Sequence, residues 1–262
     1  MRSRRSTRVT TLFISDLHID AAQPAIAAQF LRFLKADALA ADALYILGDL
    51  FESWIGDDAA DAAQSAVIEG LRALTGAGVP CFVMHGNRDF LLGERFAAAS
   101  GALLLPDPLL VTLYGRPLLL MHGDALCTDD TAYQRLRATV RDPDWQRRFL
   151  ALGVAERRTL AAAARSGSRA HTAALQYEIA DVNAAAVEAV LRAAGAATLL
   201  HGHTHRPAMH AVDVDGRACT RIVLGDWYTQ GSVLRWSADG HDLGALPRPA
   251  APNESGTARP AA

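Results

Sequence analysis

Five short apolar runs of strand length each end in a cluster of Asp, Asn or His, usually with a glycine alongside. VTTLFI (9–14) is followed by SDLH, ALYIL (43–47) by GDLFE, and VPCFVM (79–84) by HGNRD. PLLLM (117–121) is followed by HGD, and ATLL (197–200) by HGHTH. Between the first three runs, residues 26–40 carry Ile26, Phe30, Phe33 and Leu34 at helical spacing, and residues 58–74 read as a second helix. Strand, helix, strand, helix, strand predicts a parallel sheet with crossover helices. The later runs LLVTLYG (109–115), MHAVDV (209–214), TRIVLG (220–225) and SVLRW (232–236) are separated by short turns that suggest hairpins. The expected architecture is an α/β sandwich with room for two sheets.

In open α/β sheets ligands bind outside the carboxyl ends of the strands, where these polar clusters would converge. Each cluster alone has a plain reading, since Gly-Asp and Gly-Asn are common turn dipeptides and His122 could be a buried core histidine. The stretch LLHGHTHRP is harder to read that way. It sets His201, His203 and His205 on alternate positions, and closely placed neutral imidazoles suit a cation. Asp16 and His18, Asp49, Asn87, His122 and the histidine triplet therefore form one candidate metal site.

Composition narrows the chemistry. The 262 residues carry a formal charge of −2, and Lys35 is the only lysine beside many arginines. No basic stripe with interleaved aromatics is present, so no nucleic-acid partner is expected. Cys81, Cys127 and Cys219 are odd in number and widely spaced, which fits neither a disulfide framework nor a CxxC metal site and favours a reducing, cytoplasmic compartment. The basic start MRSRRSTRV leads into too short an apolar run for a secretory leader, and no segment has 18 uninterrupted apolar residues. The Pro- and Ala-rich residues 246–262 read as a disordered tail.

The ordered set D-x-H, G-D, G-N, H-G and G-H-x-H, spread over roughly residues 9–236, resembles the calcineurin-like metallophosphoesterases. That resemblance implies a metallophosphoesterase β-sandwich flanked by helices, with two metal ions about 3.5–4 Å apart. By the same resemblance Asp16, His18 and His205 would hold one ion. Asn87, His122 and His203 would hold the other, Asp49 would bridge both, and His201 would have no ligand role. Carboxylate, amide and imidazole ligands without thiolate suit Mn²⁺, Fe²⁺ or Zn²⁺.

Two features distinguish the chain within that superfamily. GNRD stands where many members have G-N-H-[DE], so Arg88 replaces a histidine. Arginine cannot act as a general acid, but it can clamp a phosphate. The 81 residues from His122 to His203 also hold an insert whose periodicity (Tyr133, Leu136, Val140, Trp145, Phe149, Leu150, Leu152) predicts a helical cap over residues 130–192. FISDLH, ADALYILGDLFESWIGDD, GVPCFVMHGNRDFLLG, LMHGDALCTDD and LHGHTHRPAMH closely resemble the UDP-2,3-diacylglucosamine hydrolase family of lipid A synthesis.

This second resemblance implies water attack on the α-phosphorus of UDP-2,3-diacylglucosamine, giving UMP and 2,3-diacylglucosamine 1-phosphate. It further implies two Mn²⁺ per subunit and peripheral residence on the cytoplasmic face of the inner membrane, here in a chain expected to be a monomer. Asp49, Asn87, Arg88 and His122 would carry the catalysis. Asn87, Arg88, Asp130, Arg165, Ser168, Thr172 and His203 would contact substrate. Thr172 stands where the family has Asn, and Leu175 stands where it has Lys. Trp54 and Phe90 are candidates for an acyl-chain pocket, and Arg2, Arg4, Arg5 and Arg8 could attract anionic lipid modestly. The alternatives are another dinuclear phosphoesterase, acting on cyclic nucleotides or nucleic acid, and a scaffold whose metal site has decayed. GNRD in place of GNHE argues against the cyclic-nucleotide reading, and the intact ligand set argues against the scaffold.

Overall fold

The computed structural model describes residues 10–174 and 181–247, with side chains of residues 167–174 left aside. Two sheets face each other. The first runs β11 (Gly240–Leu246), β10 (Gly231–Ser237), β1 (Thr11–Ile14), β2 (Ala43–Leu47), β3 (Cys81–Met84), β4 (Leu103–Leu105). In it β1 to β4 are parallel, as the alternation of strands and helices predicts, and the β10–β11 hairpin adds antiparallel to β1. The second runs β5 (Leu109–Leu113), β6 (Arg116–Leu120), β7 (Thr198–His201), β9 (Arg217–Val223), β8 (Ala208–Val214).

The period-2 alternation of each strand builds two cores at once. Along β1 and β2, Leu12, Ile14, Leu44 and Ile46 point toward helices α1 (Pro24–Lys35) and α2 (Ala62–Gly76), where they join Phe30, Phe33, Val67 and Leu71. Phe13, Tyr45 and Leu47 point the other way and meet Leu118, Leu120, Leu200 and Ile222 of the facing sheet. Such fully buried side chains each contribute about 1.5–3 kcal/mol. On the far side of the second sheet, Leu119 and Leu199 pack on Val187 and Leu191 of α7 (Ala184–Ala194). The result is helix, sheet, sheet, helix.

Several boundaries differ from the sequence reading for local reasons. Helix α2 starts at Ala62, because the Asp61 side chain accepts from Gln64 N while Gln64 returns a bond to Asp61 N, a reciprocal capping box. Helix α1 stops at Lys35, and residues 38–40 form a separate 3₁₀ turn. The periodic stretch of the insert divides into α4 (Thr131–Val140), α5 (Pro143–Leu150) and α6 (Val154–Ala174). Asp142 caps the helix that Pro143 opens, and the chain turns again at Leu152-Gly153. Helix α7, expected as the end of the insert, belongs instead to the outer layer of the second sheet. Helix α3 (Glu94–Ser100) and strands β4 and β11 are additions, and Leu246, taken as the first residue of the tail, ends β11. The basic residues 1–8, Leu175 and tail residues 248–262 lie outside the described residues, as do the side chains of Ser168 and Thr172.

Candidate metal centre

The loops leaving β1, β2, β3, β6 and β7 meet at one end of the sandwich, and backbone hydrogen bonds fasten them to one another. Asp16 N donates to Gly48 O (3.1 Å), His18 N to Asp49 O (3.0 Å) and Gly202 N to His122 O (2.8 Å). Seven non-glycine residues among those described have positive φ, and five of them are Asp16, His18, Asp49, His203 and His205. Left-handed backbone is unfavourable for a side-chain-bearing residue and persists where the surroundings impose it, as in a built site. Two glycines permit the close approach. A Cβ on Gly86 would collide with Asp49, and one on Gly202 with Asp16 and Ser15.

The side chains converge. His205 Nε2 lies 3.4 Å from Asp16 Oδ1 and 3.1 Å from His18 Nε2. His18 Nε2 is 3.7 Å from Asp49 Oδ2, and His122 Nε2 is 3.8 Å from Asp49 Oδ1. Asn87 Oδ1 stands 2.9 Å from both His122 Nε2 and His203 Nδ1. Asp16, His18, Asp49 and His122 are almost wholly buried.

This donor set fits metal ions. His18 Nδ1 faces Glu52 Oε2 at 3.1 Å and His205 Nδ1 faces Asp226 Oδ2 at 3.6 Å, so the proton of each neutral ring belongs on the outer nitrogen. The two inner Nε2 lone pairs then point at each other, which a shared cation resolves. His122 repeats the pattern, with Nδ1 donating to Leu47 O (2.9 Å) and Nε2 turned to the cluster. Asp16 Oδ1 is buried with no hydrogen-bond partner, an oxygen left for an ion. His/Asp atoms form two overlapping groups of ligand spacing, Asp16–His18–His205 and Asp16–Asp49–His122.

The electrostatics without metal show how tightly the charges are coupled. Burial opposes ionisation of Asp16, but His205, His122 and His18 hold its carboxyl far below the usual range. Burial likewise disfavours a charged His122, yet Asp49, Asp124 and Asp16 push it up to about 9. Burial and the His122 charge pull His203 down to about 4. His201 stands apart: fully buried, it is neutral to about 3, its Nδ1 donating to Gly202 O and its Nε2 facing Arg221.

Three supporting carboxylates were quoted in the motifs without a role. Asp89 of GNRD accepts from the amides of Gly86, Leu50, Phe51 and Asp49 and so joins two metal-site loops. Burial and the Asp49 charge raise its carboxyl to about 6 against those donors. Asp124 of HGD accepts from Tyr133 Oη (2.7 Å) and Arg137 Nε (2.8 Å) and ties the site to α4. Glu52 of GDLFE faces His18. Their signal was in the sequence, an acid two or three residues from a candidate ligand; their partners were not.

The calcineurin-like phosphoesterase family matches residues 9–207. The chain belongs to that family. Within it, the chain is 53% identical over 247 residues to a Stenotrophomonas maltophilia protein named UDP-2,3-diacylglucosamine hydrolase, covering 92% of this chain and all of the relative. It is 55% identical over 242 residues to a Xanthomonas oryzae protein of the same name, covering 90% and 98%. A Xanthomonas campestris protein of that name is 55% identical over 245 residues, covering 91% and 99%.

Against the metal site of this calcineurin-like phosphoesterase lies a cavity of ≈ 520 Å³, roofed by α4, α5 and α6 and bordered by Asn87 and Arg88. Trp54, Phe90, Leu136, Trp145, Phe149 and Leu160 give it apolar walls. Arg88 donates its amide to Asp49 Oδ1 (2.8 Å), while its side chain and that of Arg165 border the cavity. Asp130 is not in the cavity lining; its Oδ1 caps α4 by accepting from Tyr133 N (2.9 Å).

Proposed function

We propose that the chain hydrolyses the pyrophosphate bond of UDP-2,3-diacylglucosamine, releasing UMP and 2,3-diacylglucosamine 1-phosphate for lipid A synthesis. The observation that carries this reading is the apolar cavity opening directly onto the metal cluster. A lipid nucleotide needs both at once, a dry groove for acyl chains and cations for a pyrophosphate. A cyclic nucleotide or nucleic acid has no use for the groove.

In this reading Asp16, His18 and His205 would hold one divalent ion, Asn87, His122 and His203 would hold the second, and Asp49 would serve both. Mn²⁺, two per subunit, is the proposed metal. Bound ions supply an activated water near neutral pH and neutralise charge on the phosphoryl group. The outer partners Glu52, Asp226 and Leu47 O fix ring orientation so that inner nitrogens are presented deprotonated. Arg88, permanently charged, clamps a phosphate oxygen at the cavity edge. Water adds at the α-phosphorus, the bond to the bridging oxygen breaks, and the lipid phosphate leaves as a stable anion that needs little protonation. This explains why an arginine can stand where related motifs carry a histidine.

Arg165, Ser168 and Thr172 are proposed to contact the sugar or its phosphate, and Asp130 the glucosamine. Among the described residues no helix is long and apolar enough to cross a membrane; contact with the cytoplasmic face of the inner membrane, by a monomer, is proposed from the lipid substrate. The test is a product assay in Mn²⁺ that offers UDP-2,3-diacylglucosamine, 3′,5′-cyclic AMP and bis-p-nitrophenyl phosphate separately, with Asn87→Ala as control. UMP from the lipid nucleotide alone, lost in the variant, supports the reading. Turnover of the small diesters with the lipid untouched overturns it.

A further inference from the structure

A second cavity, ≈ 410 Å³ and polar, opens beside the metal cluster, and its walls include Asp20, Gln23 and Tyr228. It shares Glu52, Arg88 and Arg165 with the apolar cavity, so the two spaces meet at one carboxylate and two guanidiniums. Glu52 is the residue facing His18 at 3.1 Å, which puts the junction at the metal site itself. A substrate with its pyrophosphate at this junction extends one end into each space. Acyl chains fit only the apolar one, which leaves the polar one for the nucleoside.

The polar walls match a pyrimidine nucleoside group by group. The Tyr228 ring stacks parallel on His18 (5.2 Å, 10°), and the residue is 37% exposed, with its backbone amide donating to Asp226 Oδ1. An anchored aromatic face is a platform for a planar base. Gln23 is exposed at the start of α1, and its side chain makes no capping bond to the helix. A primary amide offers one donor and one acceptor side by side, the complement of the uracil imide edge. Asp20 Oδ1 accepts from Ala22 N, and Oδ2 lies 3.7 Å from Arg165. A carboxylate has further lone pairs to accept ribose hydroxyls.

Building on the proposed reaction, we propose that this polar cavity is the uridine subsite, with Tyr228 stacking the base, Gln23 reading its imide edge and Asp20 holding the ribose. The apolar cavity and the metal ligands then play no part in base selectivity.

The experiment is calorimetric titration of the Mn²⁺-loaded protein with UMP, with CMP and with the lipid 1-phosphate, for wild type, Gln23→Ala, Tyr228→Phe and Tyr228→Leu, with metal content measured on each. UMP is expected to bind, and CMP comparably, because the Gln23 amide turned over meets the N3 acceptor and N4 donor of cytosine as it meets the uracil imide edge. Gln23→Ala and Tyr228→Leu should each weaken UMP roughly tenfold, Tyr228→Phe should not, and affinity for the lipid phosphate should hold in all four. Because Tyr228 touches His18, Gln23→Ala decides the matter if Tyr228→Leu loses metal. UMP affinity unchanged in Gln23→Ala, or displacement of UMP by a non-phosphorylated diacyl lipid, overturns the assignment. Failure of the parent reaction shows separately, as wild type releasing no UMP from the lipid nucleotide.

Discussion

Arg157, at the start of α6, pairs in two-pronged fashion with Asp58 on the loop that follows β2. Nη1 reaches Oδ1 at 2.8 Å and Nη2 reaches Oδ2 at 2.5 Å, while the same guanidinium donates to Ile55 O and Leu152 O. Arg157 is 2% exposed and Asp58 45% exposed, so removing the arginine takes the donor from two half-buried carbonyls but leaves the carboxylate in water. Arg157→Met should cost about 1–2 kcal/mol and lower the melting temperature by a few degrees. Loosened at this joint, the cap should raise KM for the diacyl substrate while hydrolysis of bis-p-nitrophenyl phosphate holds. Equal loss on both substrates would mean that the clamp supports the metal site rather than the cap.

The metal-free protein should lose stability as pH rises from about 6.5 to about 9. His122 has its folded pKa raised to about 9 by Asp49, Asp124 and Asp16 despite burial, and His205 is raised by Asp16 in the same sense. A raised histidine contributes stability that is full below its unfolded value near 6.5 and gone above the folded one. His201 and His203, depressed to about 3 and 4, act oppositely, but their contribution is already complete by pH 6.5. Thermal unfolding across pH 6–9.5, with and without Mn²⁺, checks this. The decline should vanish with metal bound, because an ion then takes the place of the His122 proton.

The histidines of HGHTH should separate cleanly by metal content. His203→Gln and His205→Gln should each hold fewer than two ions and lose more activity than the roughly 10–100-fold typical of outer partners. His201→Gln should keep both ions and cost only stability, about 1–3 kcal/mol, from a buried hydrogen bond disturbed. Loss of an ion from the His201 variant would refute its structural role.

Ala164 lines the apolar cavity from α6, and Ala164→Phe should narrow it. KM for the long-chain substrate is expected to rise roughly tenfold, the worth of one or two displaced methylenes, with shorter acyl chains affected less. Kinetics against a chain-length series measures the trend, and a uniform effect at all lengths would show that the chains lie elsewhere.

The parallel strand order was legible in the chain, and so was the gathering of Asp16, His18, Asp49, Asn87, His122, His203 and His205 at one end of the sheets, because apolar periodicity and the residues just past each strand are local properties. The stretch from Thr131 to Ala174 was legible as helix but not as three helices, since Asp142 and Gly153 break a periodicity that continues across them in sequence. Helix α7 was misassigned to the insert because its Ala-rich face reads the same whether it meets a sheet or a substrate. Only the fold assigns Val187 and Leu191 to the second sheet.

The amino-acid order by itself determined which residues could bind metal and that they would sit at strand ends. The tertiary structure alone decided what surrounds them. Asp124 meeting Tyr133 and Arg137, Arg157 closing on Asp58, and Tyr228 lying flat on His18 join residues 9, 13, 99 and 210 positions apart respectively. Contacts between different loops and helices leave no periodic mark in a sequence, because each side of the pair satisfies its own local pattern whether or not the other is present.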